Sequence, residues 1–297
     1  MAGLVECVPN VSEGRRPEVV RGFAHVVAAV PGVRLLDTTS DPDHNRSVLT
    51  FAGEAAAVES AALALVAAAY REIDMRSHRG EHPRLGAVDV VPFVPLSGST
   101  MEECVAIARR VGKAIAAAHD VPVYYYAKAA TTPERARLPD IRKPQYEGLQ
   151  SLMATTHAPD EGPASVHPTH GAIVVGARPP LIAFNIELDT ADVKIAKRIA
   201  KAIRESAGGL PAVQAMGFEL TSPPRAQVSM NLLDHSVTSL AAVWREVESR
   251  ASAAGVQVLR GELIGLAPLE AMLEVARASL RLDGLARTQI IEGHFIE

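Results

Sequence analysis

Val33-Arg-Leu-Leu-Asp-Thr-Thr-Ser-Asp-Pro-Asp-His-Asn-Arg-Ser-Val-Leu-Thr-Phe51 decides the fold. Val33–Asp37 and Arg46–Phe51 read as strands separated by the polar turn Ser40-Asp-Pro-Asp43, so two strands follow one another directly. Upstream, a helix spans Arg16 to Val30, with Pro17 in its first turn and Pro31-Gly32 ending it. A short strand, Leu4–Val8, precedes that helix. Downstream come a helix from Glu54 to Ile73, a loop, and the apolar strand Val88–Val94. The order is β-α-β-β-α-β, the ferredoxin-like split βαβ pattern.

Ser99-Thr-Met-Glu102 then reads as a capping box for a helix reaching His119, followed by a strand at Val121–Tyr126. Residues 127–170 are rich in Pro, Thr, Arg and His, with one short helix near Gln145–Met153; irregular stretches of this length are commonly functional. From Leu181 the first pattern returns. Leu181–Leu188 reads as a strand, and Thr190–Ala207 as a helix capped by Thr190 or Asp189 and stopped at Gly208-Gly209. Strands at Val213–Leu220 and Ala226–Leu232, a helix at Ser236–Ala254 and a strand at Val256–Leu259 complete it. The expected fold class is α+β. Two ferredoxin-like subdomains are expected, residues 1–179 and 180–297, with helices on one face of each sheet. The mixed sheets are expected to face each other across a ligand cleft, and Pro179-Pro180 marks the boundary.

The 297 residues suffice for two ordinary cores, and 48% hydrophobic with 22% charged residues is globular composition. A net charge of −4 without a Lys/Arg block argues against nucleic acid as a partner, while small anions need only a few local cations. Cys7 and Cys104 lie far apart, which suggests a reducing compartment and no thiolate metal site. No signal peptide or membrane-length apolar run is apparent, so the cytosol is the expected location and no membrane partner is expected.

Before the strand at Val88 lies His78-Arg-Gly-Glu-His-Pro-Arg-Leu-Gly-Ala-Val-Asp89, dense in titratable groups on a backbone broken by glycine and proline. His78-Arg-Gly-Glu-His82 matches the inverted zinc-protease signature, which needs both histidines on one helical face. Gly80 costs a helix about 1 kcal/mol, and Pro83 disfavours helical geometry at His82. No bound metal is therefore expected. The metal-free reading makes His82 a general acid/base, with Arg79 or Arg84 binding a substrate carboxylate. The alternative is that these are solvated loop residues.

Asp41-Pro-Asp-His44-Asn-Arg46 offers a carboxylate to orient a histidine and a cation for an anion, or else is a polar turn. Gly162-Pro-Ala-Ser-Val-His167-Pro-Thr-His170-Gly171-Ala172 suits a loop whose amides approach a flat heterocycle, or a plain connection. Asn10 lies at a strand end, where ligand contacts tend to gather, while a helix cap accounts for Ser12 and Glu13. His25, His119, His157, His235 and His294 read as structural or surface groups.

Several motifs resemble one family in order along the chain: Cys7-Val-Pro-Asn-Val-Ser-Glu-Gly14, Asn45-Arg-Ser-Val-Leu-Thr-Phe51, Gly80-Glu-His-Pro-Arg84 with Gly86 and Asp89, Val121-Pro-Val-Tyr124, Leu181-Ile-Ala-Phe-Asn185 and Ala226-Gln-Val-Ser-Met-Asn-Leu232. The family is that of glutamate formimidoyltransferase, the transferase part of formimidoyltransferase-cyclodeaminase; the cyclodeaminase half is not expected here. The resemblance implies transfer of a formimidoyl group between 5-formimidoyltetrahydrofolate and L-glutamate in histidine breakdown. Tetrahydrofolate would be the co-substrate, glutamate or N-formimidoylglutamate the partner, and the assembly a homodimer. His82 falls at the position of the family's catalytic histidine. Pro163, Ala164, Ser165, Val166, His167, Pro168, Thr169, His170, Gly171 and Ala172 fall on its folate-binding segment. Asn10, His44, Arg46 and Arg84 are further candidates for holding substrate.

Three departures stand out. Thr39 replaces an acid, for which Asp41 or Asp43 can substitute. Ala127-Lys128 replaces Gly-Glu, and Val166 with His170 replaces an aromatic pair. Two other outcomes are formyl transfer from 5-formyltetrahydrofolate and a catalytically silent folate-binding protein.

Overall fold

The computed structural model describes residues 3–282 and 284–291, so His294 lies outside the described residues. The chain divides into two compact units, residues 1–178 and 179–297, both mixed α+β and each built on its own sheet.

In the first unit, β1 (Leu4–Cys7) and β2 (Asn10–Val11) lie side by side with β4 (Arg46–Glu54) and β5 (Val88–Pro95). The edge strand β3 (Val33–Asp41) pairs only with β4. Those pairings are antiparallel, but β5 also pairs in parallel with β7 (Ile173–Ala177), which pairs in parallel with β6 (Val123–Ala127). The β7 strand was missed in the sequence because its apolar run is short and unalternating, as in a parallel strand buried on both faces.

Helices α1 (Pro17–Ala28), α2 (Ala55–Glu72) and α3 (Met101–His119) cover one face. Phe23, Leu65 and Ile107 meet Phe51 and Phe93 in that core, each burial being worth about 1.5–3 kcal/mol. Four buried alanines of α2 (Ala61, Ala62, Ala68, Ala69) let α1 and α3 approach it closely. The expectation of helices on one face fails here. Two short helices, α4 (Leu138–Arg142) and α5 (Gln145–Leu152), place Ile141 and Leu149 on Val90, Tyr124 and Val174 of the other face.

The capping box of α3 sits one residue later than expected: Glu103 N donates to Thr100 Oγ1 at 3.2 Å while Thr100 N donates to Glu103 Oε2 at 2.8 Å. Strand β3 also outlasts its expected end, because Ser40 and Ser47 bond across the ladder at 2.8 Å and Asp41 faces Arg46 in register. The turn is therefore Pro42–Asn45.

The second unit holds an antiparallel sheet ordered β11-β8-β10-β9, from β8 (Ile182–Leu188), β9 (Val213–Thr221), β10 (Pro224–Leu232) and β11 (Val258–Ile264). Helices α6 (Val193–Ile203) and α7 (Leu240–Ala253) bury Ile199 and Val243 against Ile186, Val228 and Met230. The cap of α6 is Asp192, whose Oδ1 accepts from Lys194 N at 2.9 Å; Thr190 Oγ1 accepts from Asp192 N instead. A helix not expected from the sequence, α8 (Leu269–Leu280), packs on α7.

Candidate active site

The site grows from the place where the turn Pro42–Asn45 meets the loop Ile73–Ala87. Asn45 sits at φ +49°, a left-handed geometry that Asn tolerates. Its side chain accepts from Gly14 N at 3.0 Å and donates to Arg79 O at 2.9 Å, and its carbonyl lies 3.1 Å from His78 Nε2. Gly80 presses on the same turn; a Cβ there would overlap the carbonyl oxygen of His44. Together these contacts lay the loop across the hairpin tip and turn His82 toward Arg46.

The His82 side chain is 16% exposed. Its Nε2 lies 3.3 Å from Arg46 Nη1 and 3.9 Å from Asp89 Oδ2. Asp89 is buried at the start of β5; its Oδ1 accepts from Leu85 N at 2.8 Å, and Oδ2 pairs with Arg142 at the end of α4. The His44 ring packs edge-on to His82 at 6.3 Å, and Asp41 Oδ2 holds His44 Nδ1 at 2.7 Å. Burial, helped by Arg46, Arg142, His44 and Arg84, pushes the His82 imidazole down to about 3. It is neutral at pH 7, an acceptor ringed by cations.

His78 and Arg84 do structural work. His78 is buried on the Asn45 carbonyl, and its Nδ1 accepts from Arg84 Nε at 3.2 Å. Arg84 grips Glu147 of α5 with both terminal nitrogens, at 2.8 and 2.7 Å. The stretch His78–His82 is not helical, and its two imidazoles have different partners. Among the described residues, no group of three or more His, Cys, Asp or Glu could hold a metal ion.

The segment Pro163–Ala172 is clipped to the same loop. Ala87 N donates to His170 O and Ala172 N to Leu85 O, both at 2.9 Å, with Gly86 and Gly171 bridged between them. Gly171 has φ +73°, and a Cβ there would overlap Leu85 O. Val166 N bonds Gln150 Oε1 at 2.8 Å while its side chain packs beside Leu149. Thr169 O accepts from Met75 N at 2.8 Å, and Pro168 O from the Tyr146 hydroxyl at 2.6 Å. His170 lies flat between Tyr70, at 4.3 Å, and His167, at 4.1 Å. Both faces of that ring are filled, and burial with His167 and His119 pushes it down to about 4.

Asn10 shares a sheet face with Val48 and Val90, its register partners. Thr39 is exposed on the edge strand, Asp41 is committed to His44, and Lys128 is exposed after β6. The sequence reading did not find Arg142, Asp89 as its partner, or Asn45 as the tie. For Arg142 the available signal was Pro139, which marks the first turn of a helix inside a stretch read as irregular. Neither Ser12 nor Glu13 caps α1: Glu13 Oε1 accepts from Arg15 N and Arg16 N at 2.8 and 2.9 Å, ahead of the helix, and Ser12 Oγ donates to Gly86 O at 2.7 Å.

This chain belongs to the formiminotransferase family: residues 4–178 match the formiminotransferase domain, N-terminal subdomain, and residues 183–292 match the formiminotransferase domain. Among particular relatives, it is 43% identical over 298 residues to the glutamate formimidoyltransferase of Streptococcus pyogenes serotype M1, covering 100% of both chains. It is equally 43% identical to that of Thermoplasma acidophilum, across 97% of this chain and 96% of the other. It is 44% identical to the formimidoyltransferase-cyclodeaminase of Rattus norvegicus, covering 93% of this chain and 52% of that relative, about half its length.

Proposed function

We propose that this chain is a glutamate formimidoyltransferase, moving a formimidoyl group between 5-formimidoyltetrahydrofolate and L-glutamate in histidine degradation. The observation that carries the reading is the neutral, mostly buried His82 imidazole set between Arg46 and the Asp89–Arg142 pair. Glutamate's α-ammonium must lose a proton before its nitrogen can attack the formimidoyl carbon. The carbon–N5 bond of the tetrahedral intermediate then breaks, and the folate nitrogen takes a proton as it leaves. One histidine serves both transfers, which typically contributes about 10²–10⁴ in rate. Arg46 and Arg142 supply positive charge for the carboxylates of glutamate and folate. Tetrahydrofolate enters as co-substrate and carries the reactive carbon, leaving orientation and proton movement to the protein.

Pro163–Ala172 is the proposed folate segment, supported by its hydrogen bonds to Leu85 and Ala87 just beyond His82. Because both faces of the His170 ring are filled, that ring would serve to fix the segment and not to stack on the ligand. Asn10 and His44 are proposed to line the site, whereas the grip of Arg84 on Glu147 supports a structural part for it. We also read both units as ferredoxin-like, supported by the antiparallel orders β5-β1-β4-β3 and β11-β8-β10-β9. The buried free thiols Cys7 and Cys104 support a reducing cytosol, and a homodimer is proposed from the family resemblance.

The test is a donor comparison with L-glutamate as acceptor. Faster transfer from 5-formimidoyl- than from 5-formyltetrahydrofolate is expected. A preference for the formyl donor, or tight folate binding with no transfer at all, would reject the reading.

A further inference from the structure

Proton transfer by His82 needs the lone pair on Nε2, and in this structure that lone pair is occupied. Arg46 Nη1 stands 3.3 Å away, and a guanidinium has only donors, so Nε2 must be the acceptor. A proton arriving from substrate would have to take the same lone pair. Around it, Arg46 and His44 come from the hairpin of β3 and β4, Arg84 from the loop, and Arg142 from α4. The carboxylate of Asp89, 3.9 Å from Nε2, is already paired with Arg142. Burial and the guanidiniums of Arg46, Arg142 and Arg84 leave the imidazole too weak a base to strip an ammonium at neutral pH.

Arg46 itself is incompletely satisfied. Its Nε is buried without a hydrogen-bond partner, although a planar guanidinium offers Nε and a terminal nitrogen together as a fork for a carboxylate. A buried donor left unpaired in this way carries a desolvation penalty, so a carboxylate that reaches it is favoured.

We propose that Arg46 is a substrate-operated switch on His82: its guanidinium caps Nε2 in the free enzyme, and a glutamate carboxylate that pairs with its unsatisfied Nε edge draws it away and uncovers the base. This rests on the transferase reading of the same site and deepens it. With Arg46 neutralised by the substrate, Asp89 becomes the charged group best placed to stabilise the imidazolium. The proton leaves the glutamate nitrogen for Nε2 and passes from there to folate N5, so nothing else is consumed. The arrangement also protects the donor. An uncapped base with no glutamate present would activate water against the same formimidoyl carbon.

The experiment titrates His82 by NMR in full-length protein carrying isotope-labelled histidine, with His82→Asn assigning the signal. Wild type is measured with and without saturating L-glutamate, binding being verified by calorimetry, and Arg46→Met and Arg46→Gln are measured ligand-free. Glutamate is expected to strengthen proton binding by about tenfold or more, one unit in pKa. Either variant should show that rise without ligand, and should hydrolyse 5-formimidoyltetrahydrofolate faster than wild type when glutamate is absent. A His82 titration unmoved in both folded variants overturns the switch, as does an unmoved titration in glutamate-saturated wild type. Both results leave the transferase reading intact. Absence of transfer alongside a moving titration would reject that reading and keep the switch.

Discussion

Four antiparallel strands of each unit follow matching orders, β5-β1-β4-β3 and β11-β8-β10-β9, but the connections into β5 and β11 differ. Between helix α2 and strand β5 the first unit runs through Ile73–Ala87, whereas between α7 and β11 the second has only Ala254–Gln257. The long connection lies across a hairpin tip bearing His44, Asn45 and Arg46; the corresponding tip of the second unit is Ser222-Pro223. The proposed site thus coincides with the corner where the loop is long and the turn beneath it is charged.

That difference can be tested by substitution. His82→Ala should lower formimidoyl transfer by about 10²–10⁴, while Ser222→Ala, at the matching tip, should leave the rate at wild-type level. Steady-state kinetics decides, and equal losses in both would break the contrast.

The next effect is on stability. Gly86→Ala would push a Cβ into the carbonyl oxygens of Ala172 and His170, a cost of about 3 kcal/mol, the upper end for overpacking. Gly255→Ala, in the short connection, meets no atom and suffers only from its φ of +75°, about 1 kcal/mol. Urea unfolding of both variants measures the gap.

A further effect on stability is acid sensitivity. His82 and His170 bind protons in the folded state only near pH 3 and 4, against an ordinary 6.5. Between those values the unfolded chain holds more protons, so stability declines as pH falls from 6.5 towards 4. All five tyrosines (Tyr70, Tyr124, Tyr125, Tyr126, Tyr146) lie in the first unit and the single tryptophan, Trp244, in the second. On acidification the tyrosine near-ultraviolet signal should be lost before Trp244 fluorescence changes, and His170→Asn should narrow the difference.

Much of this was legible in the sequence. The order of helices and strands followed from apolar patterning and from Pro17, Pro31-Gly32 and Gly208-Gly209, whose backbone constraints are local. His82, His44 and Arg46, drawn from two separate clusters, do meet. What escaped depends on partners distant in the chain. β7 is a strand because β5 and β6 flank it, and nothing in Ile173–Ala177 announces that. Arg142 has meaning only beside Asp89, across more than fifty residues of chain. Arg84 reads as an anion binder in the sequence, whereas in the fold Glu147 occupies its fork.

Asn45 has a practical corollary for anyone wishing to transplant this chemistry. One side chain and its carbonyl fasten Gly14 and the adjacent pair His78-Arg79 to the hairpin tip, tying three separate stretches of chain together. The loop His78–Asp89 therefore cannot be treated as a cassette: moved alone into another scaffold, it would carry the imidazole but lose the frame that aims it. The smallest portable piece comprises the exit of β2, the hairpin tip and the loop together.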